Sequence, residues 1–145
     1  MSNAEKARLL AEKNFRSGFN CAESVLVTFC QLTGRPIDEV LPLTTGFGGG
    51  IGRSGCLCGA LAGAIIAIGL LHGRRSPKSD KHPAYDHASK LHKRFVTKFG
   101  STCCRVLNKM DFKSEEHVKR CANIISETAG LLFEELGCKI HLSAI

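Results

Sequence analysis

The sequence predicts an all-α fold: a single-domain helical bundle over residues 1–145 with a central buried helix rich in glycine and alanine. Three observations predict it. The run from Ser54 to Gly73 is 20 residues without a charge, as in a helix hydrophobic on every side and therefore buried all round. Apolar residues in the flanking segments recur every three or four positions, which gives amphipathic helices. No segment alternates with period two over a useful length, so no sheet is expected.

In chain order, Ala7, Leu10, Ala11, Asn14 and Phe15 form the stripe of a first helix that Gly18 ends. Ser2, Asn3 and Ala4 look like the remnant of an expression tag and are set aside. Asn20 caps a second helix with Cys21 in its first turn and Val25, Leu26, Phe29 and Leu32 on its buried side. Gly34 stops it, and Pro36 opens a short helical turn through Val40.

The centre of the chain is GFGGGIGRSGCLCGALAGAIIAIGLLHG, from Gly46 to Gly73. Each glycine inside a helix costs roughly 1 kcal/mol against alanine, so Gly59 and Gly63 need a packing or functional reason. Small residues let neighbouring helices approach closely. The uncharged run has the length of a membrane span, yet it spends several positions on glycine, serine and histidine, and a core helix is the reading preferred.

Gly73 to Pro83 is a polar surface connection. From Pro83, the stripe of Ala84, Ala88, Leu91, Phe95 and Phe99 gives a long helix that Gly100 terminates. Ser101 can cap a short helix with Cys103 and Cys104 in its first turn. Asp111 or Ser114 caps the last helix, whose stripe of Val118, Ala122, Ile125, Ala129, Leu132 and Leu136 ends at Gly137. Cys121 lies beside that stripe and faces inward.

Composition narrows the function classes. The net charge is +7, with basic residues gathered from Arg74 to Lys81 and at Lys90, Lys93, Arg94 and Lys98. Few aromatics interleave them and no nucleic-acid motif is present, so a solvated basic face is expected, with an acidic partner or anionic substrate left open. The first 15 residues carry charges rather than an apolar secretory core, which predicts a cytoplasmic protein without membrane insertion. Eight cysteines in that compartment read as reactive, metal-binding or buried rather than as a disulfide framework.

Cys21, Cys58 and Cys104 each fall at a helix start, where unpaired N–H groups and the positive end of the dipole favour thiolate over thiol. This predicts pKa values below the free value of roughly 8.5, with Cys121 meeting the three from a facing helix. Cys30 and Cys138 read as buried small hydrophobes, and Cys56 and Cys103 remain ambiguous.

Four segments carry a resemblance: FNCAESVL around Cys21, GFGGGIG leading into CGALAG at Cys58, FGSTCCRVL, and RCANIISETAGLLFEEL with Cys121. The chain resembles the redox-active proteins named for a C, GCAxxG, C, C cysteine pattern, over nearly its whole length. The resemblance selects Cys104 over Cys103, because the family cysteine stands just before an arginine. It implies redox cysteines at Cys21, Cys58, Cys104 and Cys121, and gene neighbourhoods rich in transporters. A redox partner protein or a transporter-associated component would then be the partner. A related domain in split-Soret cytochromes implies an iron–sulfur cluster or another thiophilic metal on the same four residues, and a homodimer. The absence of a CxxCH run departs from those cytochromes and argues against covalent haem.

Other motifs fail. Gly50, Gly52 and Gly55 spell GxGxxG, but no strand precedes them and Arg74 and Arg75 stand where a ribose-binding acid belongs. Phe47 and Arg53 break the P-loop pattern. The loop either surrounds Cys58 or a sulfide with N–H groups or is simply a tight turn. His82, His87 and His92 do not share one helical face, whereas His117 lies four residues before Cys121 and can reach the same site. Three functions stay open: an iron–sulfur or metal centre for electron transfer or sensing, a metal-free thiol and disulfide relay, and a helical interaction module with structural cysteines.

Overall fold

The computed structural model describes residues 1–137, and Cys138 lies outside the described residues. The described residues form seven helices: α1 Asn3–Arg16, α2 Cys21–Thr33, α3 Pro42–Thr45, α4 Gly59–His72, α5 His82–Phe99, α6 Cys104–Leu107 and α7 Glu115–Leu136. Among them there is no strand, only an isolated antiparallel bridge between Leu57 and Cys103.

Helix ends follow local chemistry. Asn20 accepts from Glu23 N–H while the Glu23 carboxylate accepts from Asn20 N–H, a reciprocal box at the start of α2. Ser114 rather than Asp111 caps α7, and Asp111 accepts from the Ser114 hydroxyl at 2.6 Å. Gly34, Gly100 and Gly137 close α2, α5 and α7 in the left-handed conformation that spares a glycine the Cβ penalty. Ser2 makes the same kind of box with Glu5, and Ala4 is buried, so the opening residues set aside in the sequence take part in α1.

Two placements differ from expectation. The short helix begins at Pro42, not Pro36. Residues 38–41 turn instead, with Val40 and Leu41 N–H both donating to Ile37 C=O, and Pro42 supplies the fixed φ that starts a helix. Cys103, not Ser101, is the N-cap of α6. Ser101 Oγ accepts from Cys103 N–H at 3.0 Å and shapes the approach to the helix.

Helix α4 is the centre, with Ala60, Ala64, Ala67 and Ile68 buried between α2, α5 and α7. Phe29, Leu26, Phe95, Leu91, Ile125 and Leu132 fill the space around it. Each such side chain contributes about 1.5–3 kcal/mol when fully removed from water. No described helix is long and apolar enough to cross a membrane. Gly63 explains one glycine of α4: a Cβ there would strike the backbone carbonyl of Ala22, so α2 and α4 touch backbone to backbone. That contact brings the first turns of α2 and α4 together, and with them Cys21 and Cys58.

Candidate functional site

The four cysteines singled out in the sequence line one cavity of about 470 Å3 at the end of the bundle where α2, α4 and α6 begin. Cys21 is the first residue of α2, Cys58 is the N-cap of α4, Cys104 opens α6, and Cys121 comes from the second turn of α7. Cys58 and Cys104 are buried, each only 6% exposed. All six pairs among the four repel one another electrostatically once ionised. The seven described cysteines are free thiols. Cys30 is buried in the core as expected, while Cys56 is exposed and Cys103 half-buried, and neither lines the cavity.

The glycine loop between α3 and α4 forms one wall. Gly49, Gly50, Ile51, Gly52 and Arg53 all have positive φ, between 54° and 71°. A left-handed path over five consecutive residues is unusual, and for β-branched Ile51 it is strained. Bonds across the loop hold it: Gly52 N–H to Gly46 C=O, Gly55 N–H to Gly49 C=O and Cys56 N–H to Gly50 C=O. Arg105 clamps its end, with the guanidinium donating to Ser54 and Gly55 C=O. Backbone bonds from Cys58 N–H to Thr102 C=O and from Cys104 N–H to Cys56 C=O join this loop to the start of α6. They fix the two thiol-bearing segments side by side.

Three of the four thiols meet hydrogen-bonding groups, each a different set. Cys21 faces the backbone N–H groups of Gly49, Ala22 and Gly59 together with its own. A Cβ on Gly59 would collide with Cys21 Sγ, so that glycine makes room for the sulfur. Cys58 faces the N–H groups of Leu61 and Ala60. The loop therefore addresses Cys21 through Gly49 rather than Cys58. Cys121 Sγ is met by side chains, Asn108 Nδ2 at 3.4 Å and His117 Nε2 at 3.3 Å.

Those two belong to a polar cluster with Asp111 and Arg120. Arg120 donates to Asn108 Oδ1 at 3.0 Å and to Asp111 Oδ1 at 2.8 Å, and His117 Nδ1 stands 3.6 Å from Asp111 Oδ1. That nitrogen is buried without a hydrogen-bond partner. Burial lowers the His117 pKa, with Asp111 opposing and Arg120 adding to the shift. Histidine four residues before the cysteine on a helix was the signal for His117. Asn108 and Phe112 left no trace in the sequence, because a loop brings them in.

The predicted direction of the thiol pKa values is overturned. Burial pushes Cys58 and Cys121 up to about 12 and raises Cys21 and Cys104 as well. The helix-start N–H groups pull Cys21 and Cys58 the other way, but loss of water around an ionised sulfur outweighs them. Without a bound cation the site holds neutral thiols.

Donor geometry also bears on what can bind. Among the described residues, no three His, Cys, Asp or Glu side chains gather closely enough to hold a metal ion. One thiophilic ion shared by the four cysteines therefore does not match this spread. The four cysteines instead line a shared cavity without converging on one point.

No solved structure matches this chain. It is 31% identical over 146 residues to an "Uncharacterized protein" of Archaeoglobus fulgidus, covering 94% of this chain and 97% of that relative. The family model described as "Putative redox-active protein (C_GCAxxG_C_C)" matches residues 19–135, a span that includes all four cavity cysteines, and the chain belongs to this C_GCAxxG_C_C family.

Proposed function

We propose that Cys21, Cys58, Cys104 and Cys121 hold an iron–sulfur cluster used for electron transfer or sensing. The observation that carries this reading is the convergence of four thiols from four helices on one cavity lined with hydrogen-bond donors. Bound there, the cluster would supply one-electron chemistry whose potential depends on burial and on hydrogen bonds to sulfur. The residues are suited to that tuning. Gly49, Gly59 and Ala22 N–H groups stabilise negative charge on Cys21, Ala60 and Leu61 do so on Cys58, and Asn108 does so on Cys121. Ile124, Ile125 and Phe15 close the cavity with apolar walls that limit water. Ligation must displace the thiol protons, so loading strengthens as pH rises.

The test is anaerobic purification or reconstitution with iron and sulfide, followed by visible absorption and metal analysis. A coloured protein with stoichiometric iron and sulfide, lost in Cys58→Ser, is the expected result. Colourless protein that never retains iron would end this reading.

One observation favours a second reading, the metal-free relay. Cys121 and His117 stand as thiol and base at 3.3 Å, and the Asp111 carboxylate lies 3.6 Å from the far ring nitrogen, near it but not hydrogen-bonded. In that chemistry Cys121 gives its proton to His117 and attacks a partner disulfide. A second cavity thiol then resolves the mixed disulfide, so that two thiols lose two electrons and two protons and the partner leaves as two thiols. Loss of two thiols on mild oxidation of iron-free protein would support this reading over the cluster.

A further inference from the structure

We propose that Arg53 makes the cavity mouth selective for small anionic reactants. This rests on the reading of the cavity as a thiol-based redox site and adds the charge class of what reaches it. The lining supplies one argument. Among the described residues it includes one arginine and one histidine and no carboxylate, so its one fixed formal charge is positive. An approaching anion gains from that field, more strongly where the walls are apolar.

Among the described residues, Arg53 is the cavity arginine without a salt bridge or side-chain hydrogen bond. Near the cavity, Arg105 is bonded to the Ser54 and Gly55 carbonyls, and Arg120 to Asn108 and Asp111. Arg53 forms no ion pair among the described residues, and its guanidinium lies 5.6 Å above the centre of the Phe112 ring, itself a cavity wall. Phe112 in turn packs edge-on against His117, the neighbour of Cys121. The guanidinium thus sits on an aromatic path from solvent to a thiol, with no hydrogen-bond partner on its N–H edges among the described residues.

Arg53 has φ of 62°, a region that a residue with a Cβ enters at a cost. Nothing about the turn requires a side chain there: Gly52 next to it, with φ of 54°, has open space around it. Gly49 is kept bare on the other side, since a Cβ there would press on the Arg53 stem and backbone. A glycine at 53 would satisfy the same turn without strain. An arginine in that position trades backbone comfort for a charge at the mouth.

The strain and the charge make opposite predictions for one substitution. In reduced, iron-free full-length protein carrying Cys56→Ser, which removes the exposed thiol outside the cavity, two disulfide reagents of similar size are compared. One is the dianionic disulfide of thionitrobenzoate and the other is neutral dithiodipyridine, with peptide mapping of Cys58 and Cys121. We expect the parent to favour the dianion at low salt and to lose that preference at high salt, as an exposed charge must. Arg53→Gly should cut the dianion rate roughly 10-fold, leave the neutral reagent unchanged, and raise Tm by about 2–4 °C. Arg53→Lys should keep most of the preference. An unchanged rate ratio in Arg53→Gly overturns the proposal, as does an equal fall with both reagents at lowered Tm, which would make Arg53 a structural residue. Neither outcome touches iron loading, which is measured separately and decides the cluster reading.

Discussion

The loop and the helix that make up the central glycine-rich run use the same residue for different reasons. In α4, Gly59 and Gly63 have helical geometry, and what excludes a side chain is a neighbour: Cys21 Sγ for one and the Ala22 carbonyl for the other. In the loop, Gly52 has open space around it, and what favours glycine is a φ of 54°. One half is constrained by packing, the other by backbone conformation. The packed half places Cys21 and Cys58, and the bent half builds the wall and mouth of the cavity that those thiols share.

Substitutions separate the two constraints, and the largest effect belongs to the helix. Alanine normally stabilises a helix interior relative to glycine, but Gly63→Ala should cost about 3 kcal/mol because its methyl meets backbone that cannot turn aside. Urea unfolding would show this as a lowered midpoint, and an unchanged midpoint would mean that α2 and α4 have slack between them.

A smaller effect comes from the thiols that this packing buries. Cys58 rises from 9.0 to about 12, so the folded state keeps the proton that the unfolded chain releases. Its contribution to stability is complete below the unfolded pKa and is lost as pH climbs through the folded one. Iron-free protein should therefore lose roughly 2 kcal/mol between about pH 8 and pH 11 that Cys58→Ala does not lose. Parallel pH profiles for the two proteins would contradict the burial of that thiol.

In the loop, Gly52→Ala meets no atom yet should cost about 1 kcal/mol through conformation alone. The mildest change has the opposite sign. Ile51→Gly relieves a positive φ of 69° on a β-branched residue and should gain about 0.5 kcal/mol, net of the added freedom of the unfolded chain. A loss of stability in Ile51→Gly would show that the contacts of the isoleucine within the folded chain outweigh the strain of its positive φ.

The same division explains what the sequence made legible. Helix α4 could be read because absence of charge over 20 residues leaves few alternatives to burial, and Asn20, Gly34, Gly100 and Gly137 mark their helix ends by local rules that tertiary contacts did not override. Helix starts and an inward face pointed to the cavity cysteines, but they left Cys103 and Cys104 open, and only the family resemblance chose Cys104. The loop could not be traced. Ile51 and Arg53 stand in conformations that their own propensities disfavour, so only the closing hydrogen bonds of the folded chain reveal its path. The thiol pKa values went the other way for a related reason: helix-start N–H groups are a local feature, whereas burial depends on the whole bundle. Asn108 joins Cys121 through the irregular segment after α6, where no periodicity points to it.

The most direct test of the central claim is an alkylation footprint of all cysteines in protein purified without oxygen, read by mass spectrometry before and after removal of iron. A shared cluster predicts that Cys21, Cys58, Cys104 and Cys121 are fully protected together in the loaded protein and gain reactivity together once iron is removed, more slowly than exposed Cys56, which reacts in both states. Protection that divides the four into independent groups, or that does not respond to iron, would contradict a single centre built on these thiols.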